Sequence, residues 1–397
     1  MLLVARNFSR RLHRTWSCRL YCSFPSSQEG TATNNLSSHI YESTDFGDYK
    51  GMQLCFLGTS SSIPTLRRNT SCLALRLDRV TYLFDCGEGV QKQLYKTPFR
   101  FGSIGSIFIT HMHGDHVFGL PGVLSGLGMT TNKSERINIY GPEGLRMYIR
   151  TILNGCFGRV FSKYAVHELK IGKKPKAGRK RTKEADRHED EVAGQDFYAS
   201  SEGIWDIFED NQYTVKAGLV QHSVPCWGYI VEEKARPGRF SVDRARELGI
   251  RPGGNYALLQ QGHSITLKDG QKIVPSDVLG HSRRGRKIVI LGDTYNSSSL
   301  LMAAKGADVL VHECTVLEEE ASEAVFRHHS TATMAGKFAR AIGTRCLVLT
   351  HFGCKFEGRM DHVQRSVKAA QIAFGSKKVI AAKDFLAITV CQTDEPS

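Results

Sequence analysis

No run of about 18 or more apolar residues occurs in the 397-residue chain, so the sequence offers no helix able to cross a bilayer. No Cys-x-x-Cys pair occurs either. The eleven cysteines are odd in number and scattered, which argues against a zinc finger or a disulfide framework and reads as reduced thiols in a reducing compartment. No acidic residue precedes Glu29, and Arg6, Arg10, Arg11, Arg14 and Arg19 stand among Ser and Thr. The apolar block of a secretory signal is missing too. Helical spacing puts Leu2, Leu3, Phe8 and Leu12 roughly opposite some of these arginines, the composition of a mitochondrial presequence or, failing that, of a disordered basic tail. Residues 1–45 are therefore expected to lie outside the fold, and a chain whose segment is not read as an address would be cytosolic or nuclear.

The remainder has what a folded domain needs. Hydrophobic residues make up 41% and charged residues 23%, enough for a proper core. The net charge of +14 favours a polyanionic partner, nucleic acid first, or simply aids solubility.

Short apolar runs recur from Met52 onward, and at least five end on a polar residue. "VTYLFD" ends at Asp85, "SIFITH" at His111, "KIVILGD" at Asp293, "DVLVHE" at His312 and Glu313, and "CLVLTH" at His351. Runs of this length suit strands buried on both faces. "GVQKQLYK" and "TATMAGKFARAIG" read as helices, the second closed by Gly343. The pattern is α/β, in which sites form where strand ends converge. Two stretches break it. Residues 173–191 are densely charged and read as an exposed insertion, a nuclear signal or an RNA contact. Residues 232–287 are charged, carry Pro237-Gly238, Pro252-Gly253-Gly254 and Lys268-Asp269-Gly270, and read as a protruding arm between two core strands.

The segment "THMHGDH" packs three imidazoles and a carboxylate into six residues. Neutral imidazole and carboxylate are preferred ligands of zinc-class ions. One assignment satisfies two coordination spheres: His111, His113 and His222 on one ion, Asp115, His116 and His351 on a second, and Asp293 across both. Two zinc ions suit this set, and manganese or iron would also accept it. Such a pair can activate water and stabilise an in-line displacement at phosphorus. Glu313 and His329 are not needed as ligands. They would form a carboxylate–imidazole pair able to protonate a leaving oxygen, or His329 would be a polar residue at a helix start beside Ser330.

In this order "FLGTSSSIP", "FDCGEG", "HMHGDH", "HSVPCWGY", "LGDT", "HECT", "HHST" and "LTHFG" resemble the metallo-β-lactamase superfamily and, within it, the tRNase Z family of transfer-RNA 3′-processing endonucleases in its short form. The similarity spans roughly Met52 to Ile388. It implies an αββα four-layer sandwich, two zinc ions per subunit, a homodimer, no small-molecule cofactor, and cleavage of precursor tRNA after the discriminator base to leave a tRNA 3′-hydroxyl. It further implies Asp115 as base toward the attacking water, Glu313 with His329 serving the leaving group, and Asp85 supporting a ligand histidine. The segment 232–287 matches the arm that grips the tRNA elbow, where its basic residues would contact phosphates. Arg67 and Arg68 match a loop near the substrate's CCA end. Two departures stand out: Gly253-Gly254 where the family carries Gly-Pro, and Leu66 where it carries Lys.

Two alternatives compete with this reading. A small-substrate phosphodiesterase of the same superfamily needs neither arm nor basic surface. An inactive RNA-binding relative would be expected to have lost a ligand, and all seven positions are filled. A reporter fused to residues 1–45 is expected to enter mitochondria; one that stays in the cytosol overturns the presequence reading.

Overall fold

The computed structural model describes residues 35–37, 40–43, 51–78, 80–130, 136–160, 162–173 and 186–393. The expectations for residues 1–34 and 174–185 lie outside the described residues.

Two sheets form the core. The larger runs, in spatial order, through Asn35–Ser37, Ile40–Ser43, Ala387–Val390, Met52–Gly58, Cys72–Arg76, Thr81–Phe84, Ile104–Phe108, Ile137–Pro142, Tyr164–Lys170 and Asp196–Tyr198, with Glu191–Val192 paired off Tyr164–Lys170. The second runs through Ile204–Glu209, Tyr213–Val220, Cys226–Glu233, Lys287–Ile290, Val309–Glu313, Cys346–Thr350 and Val379–Ala381.

The period-2 alternation of a strand explains how they stack. Leu54, Phe56, Phe84 and Phe108 of the first sheet share one core with Val215, Tyr229, Ile288, Val311 and Val348 of the second. Their sequence neighbours face the other way. Leu57, Leu83 and Ile107 pack on the helices Val90–Tyr95, Leu120–Thr130 and Leu145–Gly155. Val289, Leu310 and Leu347 pack on the helices Ala332–Ile342 and Met360–Phe374. Both parities of a central strand are thus apolar because both faces are covered, and the layers run helix, sheet, sheet, helix. Thr331 caps the helix Ala332–Ile342 by accepting from Met334 N–H, and Gly343 ends it in the left-handed conformation. Among the described residues no helix is long and apolar enough to cross a membrane, and the described cysteines form no disulfide.

Three boundaries differ from expectation. Ile40–Ser43 is not part of a structureless leader: it pairs antiparallel with Ala387–Val390, and Ile40 is buried. Four residues are too few to stand out from a polar, Ser/Thr-rich background. The charged insertion is folded at its far end, where Arg150 makes a two-pronged bond to Glu191 at 2.6 and 2.7 Å and His188 Nε2 lies 2.8 Å from the Gly158 carbonyl. Finally, Glu232, Glu233 and Lys287 belong to core strands, so the arm proper lies between them. It contains two short helices, Val242–Glu247 and Gly254–Gln260, and a hairpin, Ile265–Thr266 with Lys272–Ile273. These close over their own small core of Ala245, Ile250, Leu259, Ile265, Ile273 and Val278.

The root of the arm is an ion pair inside the protein. Arg286 donates to both Glu233 oxygens at 2.7 and 2.9 Å and to the Val390 carbonyl at 3.0 Å, and both charged residues are buried. Gly51, at φ 117°, fits against this group because a Cβ there would collide with the Arg286 guanidinium and the Val390 carbonyl. Glu233 also pairs with Arg236, so Arg286→Ala is expected to lower the urea midpoint of unfolding, with a loss of stability smaller than the roughly 3–5 kcal/mol that breaking a buried pair outright costs. An unchanged midpoint would show that the pair does not hold the arm root.

Candidate metal centre

The strands Thr81–Phe84 and Ile104–Phe108 are parallel neighbours, as are Lys287–Ile290, Val309–Glu313 and Cys346–Thr350. Their carboxyl ends bring Asp85, His111, Asp293, Glu313 and His351 to one mouth. The turn after Ile104–Phe108 supplies His113, Asp115 and His116, the last two in the short helix Gly114–Val117. His222 follows the strand Tyr213–Val220. At Gly292, beside Asp293, a Cβ would lie 2.7 Å from Thr110 Cβ, so no side chain fits there.

The facing atoms fall into two groups. In the first, His113 Nδ1 lies 3.0 Å from His111 Nε2 and 3.3 Å from His222 Nε2, and Asp293 Oδ2 lies 3.8 and 4.0 Å from His111 and His222. In the second, His351 Nε2 lies 3.2 Å from His116 Nε2, 3.3 Å from Asp115 Oδ2 and 3.4 Å from Asp293 Oδ2. His116 Nε2 lies 3.5 Å from Asp115 and 3.6 Å from Asp293 Oδ1. A tetrahedral centre with metal–nitrogen bonds of about 2.0–2.1 Å has ligand–ligand edges of roughly 3.3 Å. The donor set and its spacing therefore fit divalent metal.

Four of the five clustered imidazoles are held from behind. His116 Nδ1 donates to Asp85 Oδ2 at 2.7 Å, and Asp85 is itself fixed by Thr110 N–H at 2.7 Å. His222 Nδ1 donates to the His328 carbonyl at 2.8 Å. His111 Nδ1 meets Thr110 Oγ1 at 3.0 Å, and His351 Nδ1 meets Thr315 Oγ1 at 2.9 Å. Bonds at the far nitrogen fix tautomer and ring orientation. Asp115 Oδ2 accepts from Ser62 N–H at 2.7 Å. Four of these positions adopt left-handed backbone: Ser62 (φ 63°), Asp85 (60°), His328 (57°) and His351 (58°). Non-glycine residues there cost about 1–3 kcal/mol each, which the surrounding hydrogen bonds offset.

Burial opposes the charge of Asp293, but His351, His116 and His111 hold it well below the usual carboxylate range, and Asp115 is held low by His116 and His351. Burial and the neighbouring imidazoles push His111 down, toward the neutral form a ligand needs. His329 differs. Its Nδ1 lies 2.9 Å from Glu313 Oε1 and 3.9 Å from Asp293. Burial opposes its charge, yet Glu313 and Asp293 lift its pKa to about 9. Glu313 in turn accepts from Thr294 N–H at 2.8 Å and Thr315 N–H at 3.2 Å.

All the expected ligand positions, Asp85, Glu313 and His329 thus meet at one mouth. Arg67 and Arg68 do not point alike. Arg68 turns inward, donates to Thr59 Oγ1 and the Ala382 carbonyl at 2.7 Å each and lies over the Phe352 ring, whereas Arg67 stays exposed beside Glu357. Half-buried Asp384 accepts from Thr59, Asn69 N–H and Gln93, and so fixes the same loop. Sequence reasoning missed Thr110, Thr315, Ser62 and Asp384. Thr110 and Thr315 sit inside quoted motifs, but only the fold shows what their hydroxyls touch.

A helix–sheet–sheet–helix sandwich with a His/Asp cluster at its strand ends is a metallo-β-lactamase fold. The solved structure of human tRNase Z, short form, shares it with a TM-score of 0.60 and 30% identity, over 85% of this chain and 99% of that one. The chain belongs to the ribonuclease Z family. It is 38% identical over 342 residues to the ribonuclease Z of Synechococcus sp. (strain CC9605), 85% of this chain and 98% of the relative, and 37% identical to that of Microcystis aeruginosa (strain NIES-843 / IAM M-2473), over 85% and 96%. A family model described as Anti-Pycsar protein Apyc1 matches residues 52–166. A long-form RNase Z from yeast, 14% identical with a TM-score of 0.54 over 87% of this chain and 42% of that one, shares the fold.

Asp293→Ala is expected to empty the site of divalent metal by elemental analysis, and Asp85→Asn to weaken metal binding about 10–100-fold in a chelator competition. Full metal content in the Asp293 variant would remove that carboxylate from the centre.

Proposed function

We propose that this chain is a two-zinc endoribonuclease that removes 3′ trailers from precursor tRNA, cutting after the discriminator base. The observation that carries this reading is the Glu313–His329 pair standing beside two donor groups that share Asp293, in a chain of this family. Nitrogen and carboxylate donors at tetrahedral spacing suit zinc, and Asp293 Oδ2 faces both groups. When bound, two such ions would supply an activated water at neutral pH and neutralise charge on the phosphate. Asp115, fixed at Oδ2 by Ser62 N–H, would accept the proton of the attacking water. Glu313 occupies His329 Nδ1, which leaves Nε2 to donate a proton to the leaving 3′-oxygen of the tRNA.

The arm exposes Arg251, Lys268 and Lys272, which suits phosphate contact at a distance from the chemistry. Arg67 is the exposed cation of the loop beside the site and the better phosphate partner, because Arg68 is committed to the loop's own fold. The same reading includes a homodimer, checked by mass in solution, and mitochondrial delivery.

Chelator or Asp115→Ala is expected to abolish cleavage of a precursor tRNA carrying a 3′ trailer. His329→Ala should keep its metal and lose about 10²–10⁴-fold in kcat. A general acid works protonated, so activity is present below its pKa and lost above it. Glu313 raises that pKa, so Glu313→Gln should move the alkaline limb of the kcat profile to lower pH. A limb that stays in place assigns the proton elsewhere. Wild-type protein that holds metal and hydrolyses a small phosphodiester but leaves the precursor intact would replace this reading with the small-substrate one.

A further inference from the structure

Beside the metal centre lies an open cleft of about 550 Å³. Ile171, Val224, Pro225 and Tyr295 supply its apolar wall, and Gln221 and Asn296 its polar one. Ile171 is more than half exposed and the Tyr295 ring is half-buried. Nothing in the proton transfers proposed above uses these side chains.

The cleft is joined to the proton donor by consecutive contacts. The Tyr295 ring packs against the His328 ring with centroids 5.6 Å apart. The His328 carbonyl holds the ligand His222, which also borders the cleft, and the next residue is His329. Tyr295 is fixed in turn: its N–H donates to the Gln221 carbonyl at 3.1 Å, and Thr294 before it donates to Glu313. Asn296 Nδ2 donates to Gln221 Oε1 at 3.2 Å, and Asn296 Oδ1 accepts from Ser298 N–H at 3.0 Å. The two amides are therefore pre-oriented on the rim, with Gln221 Nε2 left as a donor.

A ring face, an apolar floor and a rim of amides are what an unpaired base requires: stacking that tolerates any base, with polar groups at its edge. The cleft's position selects which base. His329 protonates the leaving oxygen, and that oxygen is the 3′-oxygen of the discriminator nucleotide. His329 stands on the His328–Tyr295 side of the mouth, next to the cleft.

We infer that Tyr295, with Gln221 and Asn296, forms the subsite for the discriminator base, the last nucleotide retained in the product. This rests on the precursor-tRNA reading above. The subsite holds the leaving nucleoside so that its 3′-oxygen meets His329, and Tyr295 acts as a positioning residue.

The test uses full-length, metal-loaded protein and three precursors: an intact one, one abasic at the discriminator, and one abasic at the first trailer nucleotide. The readout is the ratio of kcat/KM between precursors within each preparation, which does not depend on the folded fraction. Stacking of one base is worth roughly tenfold or more. Wild type is expected to lose about that factor on the discriminator-abasic precursor and little on the trailer-abasic one. Tyr295→Ala should cut the intact precursor about tenfold more slowly and be indifferent to the missing discriminator base, whereas Tyr295→Phe, which keeps the ring, should retain the sensitivity. Equal sensitivity in wild type and Tyr295→Ala overturns the subsite, as does wild-type sensitivity confined to the trailer position. Failure of wild type to cut any precursor sinks the precursor reading itself, a result distinct from either.

Discussion

Imidazole nitrogens that face one another at 3.0–3.3 Å repel when both present lone pairs, and a divalent cation between them turns that repulsion into binding. No amount of apolar packing makes that arrangement favourable by itself. The protein creates it anyway, with Asp115 and Asp293 kept ionised in a buried mouth. The rest of the structure can be understood as what is needed to hold those lone pairs convergent. The strained backbone at Asp85 and His351, the hydroxyls of Thr110 and Thr315 and the His328 carbonyl all act on the far side of a ligand. The two sheets act one level further out. Their strands are apolar on both faces, so their carboxyl ends are fixed by packing on two sides and deliver the ligands with little freedom.

Division of labour follows from that rigidity. The chemistry sits on strand ends, where displacement costs core packing. In the proposed function recognition falls to loops and to the arm, where it does not. Arg68 and Asp384 lie at the boundary: both are spent on fixing the loop from Gly58 to Asn69, whose Ser62 N–H reaches Asp115. A charge that looks available for RNA in a linear reading is in fact part of the scaffold.

Much of the site was legible because its residue types are chemically costly at strand ends and cluster in short motifs. His111 to His116, Asp293 and His351 are identifiable by type and spacing alone, and the double-faced apolar runs mark the central strands. What was not legible depends on distance in space. Thr110 and Thr315 are ordinary threonines until a ring nitrogen is placed beside them. Ile40–Ser43 is four unremarkable residues until Ala387–Val390 lies alongside. The arm's interior was hidden for a similar reason. Ala245, Ile250 and Leu259 are too few and too widely spaced to announce a core, and only the hairpin Ile265–Ile273 closes it.

The arm joins the core at Cys226–Glu233 and Lys287–Ile290, which are adjacent antiparallel strands. Topologically it is an enlarged hairpin turn. A hairpin's two ends are already together, so exchanging what lies between them adds almost no closure entropy and leaves strand order untouched. With its own core above and one buried ion pair at its base, this segment is a natural joint for descent with modification: a lineage can lengthen, replace or shed the whole module and keep the metal centre intact.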